Sequence, residues 1–250
     1  MKCAMFSNPY LGEFVGTMFL ILFGDGVVAN TILSKTKGNA LSGGGAGSGW
    51  IVITAGWGFA VMVGVATAIW FGSPWAAINP AVTIALAIDG KLPWSMVPGF
   101  IGAEIAGAFV GALLVYAAYR DHFKETKDPV TKLAVFSTIP NIRNLPLNFV
   151  TEAIGTFALV MGVYGLTVPP AIAKLVPGAI TVAFLVWGIG LSLGGPTGYA
   201  INPARDLGPR IAHAILFPKE SSDWTYGLIV PIWGPIVGGV IAALVAMAVL

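Results

Sequence analysis

Charge is scarce in this chain. Asp, Glu, Lys and Arg make up 10% of its 250 residues, against roughly 25% in a soluble domain. A soluble fold of this length would need more charge on its surface. Cysteine is nearly absent too. Cys3 stands alone, which excludes an internal disulfide framework and a cysteine-rich metal site. The histidines are His122 and His213; they do not share a helix face, so the metal-hydrolase pair is missing. No Gly-Lys-Ser/Thr phosphate loop occurs, so ATP-driven pumping has no support. The net charge of +2 leaves no basic footprint for nucleic acid. Nothing here points to an enzyme, and no cofactor is expected.

Apolar residues are plentiful, at 56%, and glycine is frequent, at 33 residues, as where membrane helices pack closely. Six stretches are long enough to cross a bilayer: about 9–33, 50–71, 94–118, 147–168, 176–194 and 227–249. The first is followed by five more, so it reads as a retained span and not as a cleaved signal. Ser34–Gly49 reads as a loop. Residues 120–146 hold most of the soluble-looking charge and form the longest connector. Two apolar segments are too short for the six-span count. One follows Asn79-Pro80-Ala81 and ends near Asp89; the other follows Asn202-Pro203-Ala204 and ends near His213. At about nine to eleven residues each they span roughly 13–17 Å as helix, half of a bilayer. Such re-entrant pieces are tolerated at membrane depth only inside protein or beside a wet cavity.

The two halves of the chain resemble each other. "LGEFVGTMFLIL" in the first span matches "VTEAIGTFALVM" in the fourth, pairing Glu13 with Glu152, Gly16 with Gly155 and Thr17 with Thr156. An odd number of spans per half puts the halves upside down to each other, an architecture in which interrupted helices meet near the midplane. The expected fold is an all-α membrane protein: one channel domain over 1–250, with inverted repeats at about 1–119 and 147–250 joined by 120–146.

The physics of the two short segments can be read directly. Asparagine favours the N-cap and proline the first helical position, so Asn79-Pro80 and Asn202-Pro203 each open a half-helix. If these ends meet, their side-chain amides face a molecule in the pore. Both positive helix ends then converge there, a barrier to cations and protons but not to a neutral polar solute. Arg205 follows the second box. A buried arginine in a membrane protein is costly and usually functional, so it is the first candidate for a constriction; Arg210 is a weaker one that anchors a loop.

"AAINPAVTIAL" and "GYAINPARDLGPR" strongly resemble the paired Asn-Pro-Ala boxes of the aquaporin family, and the resemblance covers essentially the whole chain. It implies six spans, two re-entrant half-helices (Asn79, Pro80, Ala81 and Asn202, Pro203, Ala204) and a selectivity filter. Matched by local motif, the filter falls on Trp57, Gly190, Tyr199 and Arg205. Gly190 stands where water-selective members place a histidine, and its missing side chain is expected to widen the opening. Two aromatic faces, Trp57 and Tyr199, are expected opposite Arg205, so that a polyol lays its carbons on the rings and its hydroxyls on the guanidinium. Asp206 marks the glycerol-conducting branch, and Tyr199 in place of phenylalanine resembles Gram-positive bacterial members. The implied solute is glycerol, with water, dihydroxyacetone, urea and undissociated lactic acid as alternatives. The implied setting is the cell membrane, as a homotetramer with one pore per subunit.

Further residues follow from the repeat. "GGPTGYA" and "FGSPWAA" precede the boxes, and extended backbone there would turn carbonyls into the pore. The candidates are Gly194, Gly195, Gly198 and Tyr199 in one half and Trp75, Ala76 and Ala77 in the other. Glu13 and Glu152 are expected to brace the amides of the re-entrant loops; a proton relay, and with it a proton-coupled transporter using Asp25, Glu13 or Glu152, is the competing reading. Asp25 lies beyond the polar positions of the family, so lining a vestibule and marking a span end are both open. Glu104 begins a small-residue face with Gly107 and Gly111; like Gly12/Gly16 and Gly234/Gly238 it is read as a seat for close helix contacts. The resemblance implies a cytoplasmic N-terminus. Lysine and arginine counts argue the other way, since only Lys2, Lys91 and Lys174 would then lie inside.

Overall fold

The computed structural model describes residues 8–41, 49–167 and 178–249. Cys3, Lys2, Lys174, Leu250, part of the Ser34–Gly49 loop and the start of the fifth span lie outside the described residues. Among the described residues the regular elements are helices. They are α1 Pro9–Ile32, α2 Lys37–Leu41, α3 Gly49–Trp70, α4 Pro80–Ile88, α5 Val97–Glu125 (after a 3-10 turn at Trp94–Met96), α6 Pro129–Phe136, α7 Leu145–Thr167, α8 Gly178–Leu193, α9 Pro203–Leu216 and α10 Trp224–Val249. Helices α1, α3, α5, α7 and α10 are long and apolar enough to cross a membrane, and α8 is described over 16 residues. Their outward faces carry Phe23, Phe59, Trp70, Phe184 and Trp233, each about half exposed or more. That is a lipid-facing surface, since every backbone polar group of a helix is already paired within it.

Glycine sets how close these helices come. In the first half, a Cβ on Gly111 of α5 would stand 2.5 Å from the Met18 carbonyl of α1. Gly107 backs onto the Phe14 carbonyl in the same way. In the second half, Gly234 and Gly238 of α10 lie against Phe149 and Ala153 of α7. Gly12 and Gly16 of α1 rest on Ala68 of α3. These small-residue faces are therefore used up inside one chain, where close backbone approach gives the dispersion contacts that drive membrane helix packing.

Three elements differ from the sequence reading. Lys37–Leu41, inside the stretch read as the Ser34–Gly49 loop, forms the short helix α2. The second half-helix, α9, has 14 residues, about 21 Å, because it runs through Pro209 to Leu216. It still falls short of a bilayer. The connector is also more structured than a loop. Helix α5 continues to Glu125 past a non-helical Tyr119, and "PVTKLAVF" forms α6. Asp128 caps α6 by accepting from the Val130 and Thr131 amides; its hydrogen bonds, that of the Thr131 hydroxyl foremost, hold its carboxyl below the usual carboxylate range. Leu133, Val135 and Phe136 are buried, so the hydrophobic face of α6 folds the connector back onto the bundle.

Candidate functional site

The two half-helices α4 and α9 are positioned by the loops that precede them, and those loops are held by carboxylates. Glu13 accepts the amides of Ala77 (3.0 Å) and Ile78 (2.6 Å), and also the Ser73 hydroxyl (2.5 Å). Glu152 accepts the amides of Ala200 (2.9 Å) and Ile201 (2.8 Å). The backbone they hold is unusual. Ala76, Ile78, Tyr199 and Ile201 all have φ between 41° and 43°, the left-handed region that costs about 1–2 kcal/mol per non-glycine residue. Hydrogen bonds to a charged group contribute about 1.5–3 kcal/mol each, so two amides per carboxylate are enough to offset two strained residues per loop. Both glutamates are fully or almost fully buried.

The asparagines finish the junction. Asn79 Oδ1 accepts the Ala81 amide (2.9 Å), and Asn202 Oδ1 accepts those of Ala204 (3.0 Å) and Arg205 (3.2 Å). Each therefore caps its own half-helix, with Pro80 and Pro203 at the first helical position. Each Nδ2 then reaches into the other loop: Asn79 donates to the Ile201 carbonyl and Asn202 to the Ile78 carbonyl, both at 2.8 Å. A carboxamide has two N–H donors, so one remains on each side chain. The N-termini of α4 and α9 are thereby pinned to one point.

A cavity of about 460 Å³ passes this point. One wall is apolar, with Val61, Val65, Leu159, Val182 and Val186. The other is formed by Asn79, Asn202 and the segments 74–78 and 198–202. Trp75, Ala76, Ala77, Gly198 and Tyr199 all line it. Gly194 and Gly195 do not: the Gly194 carbonyl accepts the Gly198 amide at 2.8 Å and closes a turn. Ile78, Ala200 and Ile201 line the cavity instead. Near one end Lys91 pairs with Asp89 (2.5 Å) and lies 4.5 Å from the Tyr164 ring centroid.

Trp57, Tyr199 and Arg205 line the same cavity, and Gly190 touches Tyr199. Their arrangement differs from the expected slot in two ways. The Arg205 guanidinium lies 4.1 Å over the Trp57 ring centroid; it is stacked on one aromatic, not set across from both. Gly190 does not leave open space either. A Cβ there would stand 2.7 Å from Tyr199 Cζ and 2.8 Å from Thr54 Cγ2, so the absent side chain makes room for the tyrosine ring. Trp50 closes the other side, with its ring centroid 5.8 Å from that of Tyr199 and its Nε1 donating to the Gly190 carbonyl (3.0 Å).

Two contacts of Arg205 were not legible in the sequence. Phe136 at the end of α6 gives its carbonyl to Arg205 Nη1 (3.2 Å). Asp25 of α1 has Oδ1 3.7 Å from the same nitrogen. Gly24 has no Cβ because one would overlap the Trp57 ring. Asp206 faces away from this cluster. Its Oδ1 accepts Arg210 Nε (2.7 Å), and its Oδ2 accepts the Thr138 amide (2.8 Å) and hydroxyl (2.7 Å). Arg210 is fully buried and also donates to the carbonyls of Ser222 and Thr138. The pair ties the connector to α9. Glu104 accepts the Thr83 hydroxyl (2.6 Å) and so ties α5 to α4. His213 bonds Ser222 Oγ through Nδ1 (2.8 Å) among Phe136 and Phe217, and His122 bonds the Ser34 carbonyl (3.1 Å). No group of three or more metal-ligating side chains occurs among the described residues.

The family model described as Major intrinsic protein matches residues 1–246. The chain is 57% identical to a probable glycerol uptake facilitator protein of Thermotoga maritima, over 94% of this chain and 97% of that one. It is 51% identical to glycerol uptake facilitator protein 3 of Lactiplantibacillus plantarum, over 94% and 93%. A D/L-lactic acid transporter of the same organism is 42% identical, over 94% and 95%. Among solved structures, the aquaglyceroporin from Plasmodium falciparum superposes with a TM-score of 0.80 at 29% identity, covering 94% of this chain and 93% of that one. The chain is a multi-pass membrane protein with the aquaporin fold and belongs to the Major intrinsic protein family.

Proposed function

We propose that the chain is a passive channel that carries glycerol and similar small neutral solutes across the cell membrane and excludes protons and ions. The observation that carries this reading is the reciprocal bonding of Asn79 and Asn202 to Ile201 and Ile78. It leaves one amide donor per asparagine at the meeting point of two helix N-termini, inside a cavity with one apolar wall. A polyol needs such a two-faced path, and a cation meets two positive helix ends there. Glycerol is named as the solute because the relatives at 57% and 51% identity carry that name.

Roles follow from position. The Asn-Pro-Ala boxes set the midpoint, and Trp57, Gly190, Tyr199 and Arg205 set the constriction. The carbonyls of 75–78 and 198–201 replace lost hydration, and Glu13 and Glu152 brace the loops. Those glutamates bond backbone amides at no more than 1% exposure, which speaks against a proton relay through them. The subunits assemble as homotetramers with one pore each, through lipid-facing surface and not through the glycine faces already used within the chain. The N-terminus is cytoplasmic.

Stopped-flow flux in proteoliposomes tests the reading, with water, glycerol, dihydroxyacetone, urea and lactic acid in parallel. Glycerol flux linear in its gradient and indifferent to a pH gradient is expected. Saturable uptake driven by a pH gradient refutes the channel, and lactic acid passing faster than glycerol changes the solute. Arg205→Val is expected to raise methylammonium leak. If leak and glycerol flux both stay at the parent level, Arg205 is not the constriction.

A further inference from the structure

Asp25 is fully buried, and neither of its carboxylate oxygens has a hydrogen-bond partner among the described residues. The other buried acids, Glu13, Glu104, Glu152 and Asp206, each accept at least one hydrogen bond. A carboxyl in that position within a membrane span is stable only where a counter-charge faces it or where it holds a proton. The cation facing it is Arg205, whose Nη1 lies 3.7 Å from Oδ1. This is too long for a hydrogen bond and lies at the long end of ion-pair range, but side-chain exposures of 0% and 8% leave little water to screen it.

The local sequence explains how α1 reaches the site. Gly24 has no side chain, so the Trp57 ring lies directly on the helix backbone. Asp25, the next residue, meets the guanidinium stacked on that ring. The nearby acid Asp206 is committed to Arg210 and Thr138. Two buried arginines thus have two separate carboxylates, Asp206 for Arg210 and Asp25 for Arg205.

We propose that Asp25 is a positioning residue of the constriction: it holds Arg205 back against Trp57 and offsets part of the guanidinium's charge where solutes pass. This rests on the reading of Arg205 as the constriction. The Phe136 carbonyl and Asp25 both address Nη1, which leaves Nε and Nη2 for solute hydroxyls. The cation barrier is then the balance of Arg205 against Asp25. Removing Arg205 alone exposes the pore to an uncompensated carboxylate, so part of the resulting cation leak is caused by Asp25.

The test is a set of three variants in proteoliposomes: Arg205→Val, Asp25→Asn and the two combined. The readout is the ratio of methylammonium leak to glycerol flux, which does not depend on how much protein has inserted. Arg205→Val is expected to raise the ratio. Adding Asp25→Asn is expected to lower it again by at least about threefold, and Asp25→Asn alone is expected not to raise it. A purely structural Asp25 gives the opposite order, because loosening the filter adds leak: a double variant that leaks as much as Arg205→Val, or more, overturns the proposal. An Arg205→Val ratio equal to the parent's overturns the constriction reading and this proposal with it. Asp25→Val in the Arg205→Val background repeats the test with an apolar side chain, so that misfolding of the asparagine variant does not decide the outcome.

Discussion

Gly190→Ala adds a single methyl group at a tightly packed point of the proposed filter. The new Cβ would stand 2.7 Å from Tyr199 Cζ, 2.8 Å from its hydroxyl and 2.8 Å from Thr54 Cγ2. Carbon atoms in contact prefer about 3.5–4.0 Å, so the tyrosine ring must retreat by about 1 Å. It is confined on its other sides. Gly194 already lies so close that a Cβ there would stand 2.6 Å from Tyr199 Cδ1, and Trp50 is tied by its Nε1 to the Gly190 carbonyl. The free direction is the cavity that Tyr199 lines. Overpacking of this kind costs about 1–3 kcal/mol, and part of it appears as a narrower passage. Glycerol flux is expected to fall by at least about tenfold, equivalent to about 1.4 kcal/mol of added barrier, and water flux by much less. Stopped-flow light scattering on one proteoliposome batch gives both rates, and their ratio removes any loss of inserted protein. A folded Gly190→Ala channel with the parent ratio would refute the claim that Tyr199 and Gly190 together set the width.

Other substitutions test separate parts of the frame. The Tyr199 hydroxyl is buried without a partner among the described residues, so Tyr199→Phe is expected to leave thermal stability equal or higher and glycerol flux intact, with a changed ranking among polyols in the flux assay. Glu152→Gln retains the size but sets an N–H against the amide of Ala200 or Ile201; a loss of about 2 kcal/mol is expected, read as a lower unfolding midpoint in detergent. Asp206→Asn leaves Arg210 buried without its counter-charge and is expected to cost about 3–5 kcal/mol; most of that should return when Arg210→Met is added, and if it does not, the pair is not the reason for the loss.

The spans and the opening residues of both half-helices were legible because each rests on local chemistry: uninterrupted apolar length, and Asn-Pro at a helix start. Lengths set by packing were less so. Helix α9 continues through Pro209, where a proline ordinarily signals an end, because the helix is enclosed by neighbours, with Gly208 against Ala108 and Ile105 of α5. The connector reads as a charged loop by composition, yet the spacing of Leu133 and Phe136 within "PVTKLAVF" was a signal for the buried face of α6. The contacts that sequence reasoning missed act through backbone or across long separations. The Phe136 carbonyl carries no side-chain signature, and Asp25 meets Arg205 only because two distant segments cross. Gly190 was visible as an absence of bulk, but what fills an absence depends on a neighbour, here Tyr199.

The inverted repeat makes the frame symmetric and leaves the chemistry to the places where the symmetry is broken. Glu13 with Glu152, Ile78 with Ile201 and Asn79 with Asn202 make matched bonds at matched distances. Three positions of the same frame are not matched. Ala76 and Tyr199 share a left-handed backbone, with φ of 42° and 41°, but one carries a methyl group and the other a phenol. Val82 and Arg205 each follow their Asn-Pro-Ala box and each line the cavity; one is apolar and the other a cation. Thr83 and Asp206 come next, and each bonds a different neighbour, Glu104 in one half and Arg210 with Thr138 in the other. Small and apolar residues in one half and large polar ones in the other make the two halves of the cavity wall chemically unlike. In the proposed channel a symmetric dipole field at the midpoint acts on any cation from either side, whereas sorting by size and hydroxyl pattern happens once, where Tyr199 and Arg205 stand. Substitutions at Ala76 or Val82 should therefore change flux by obstruction alone, and those at Tyr199 or Arg205 should change which solute passes.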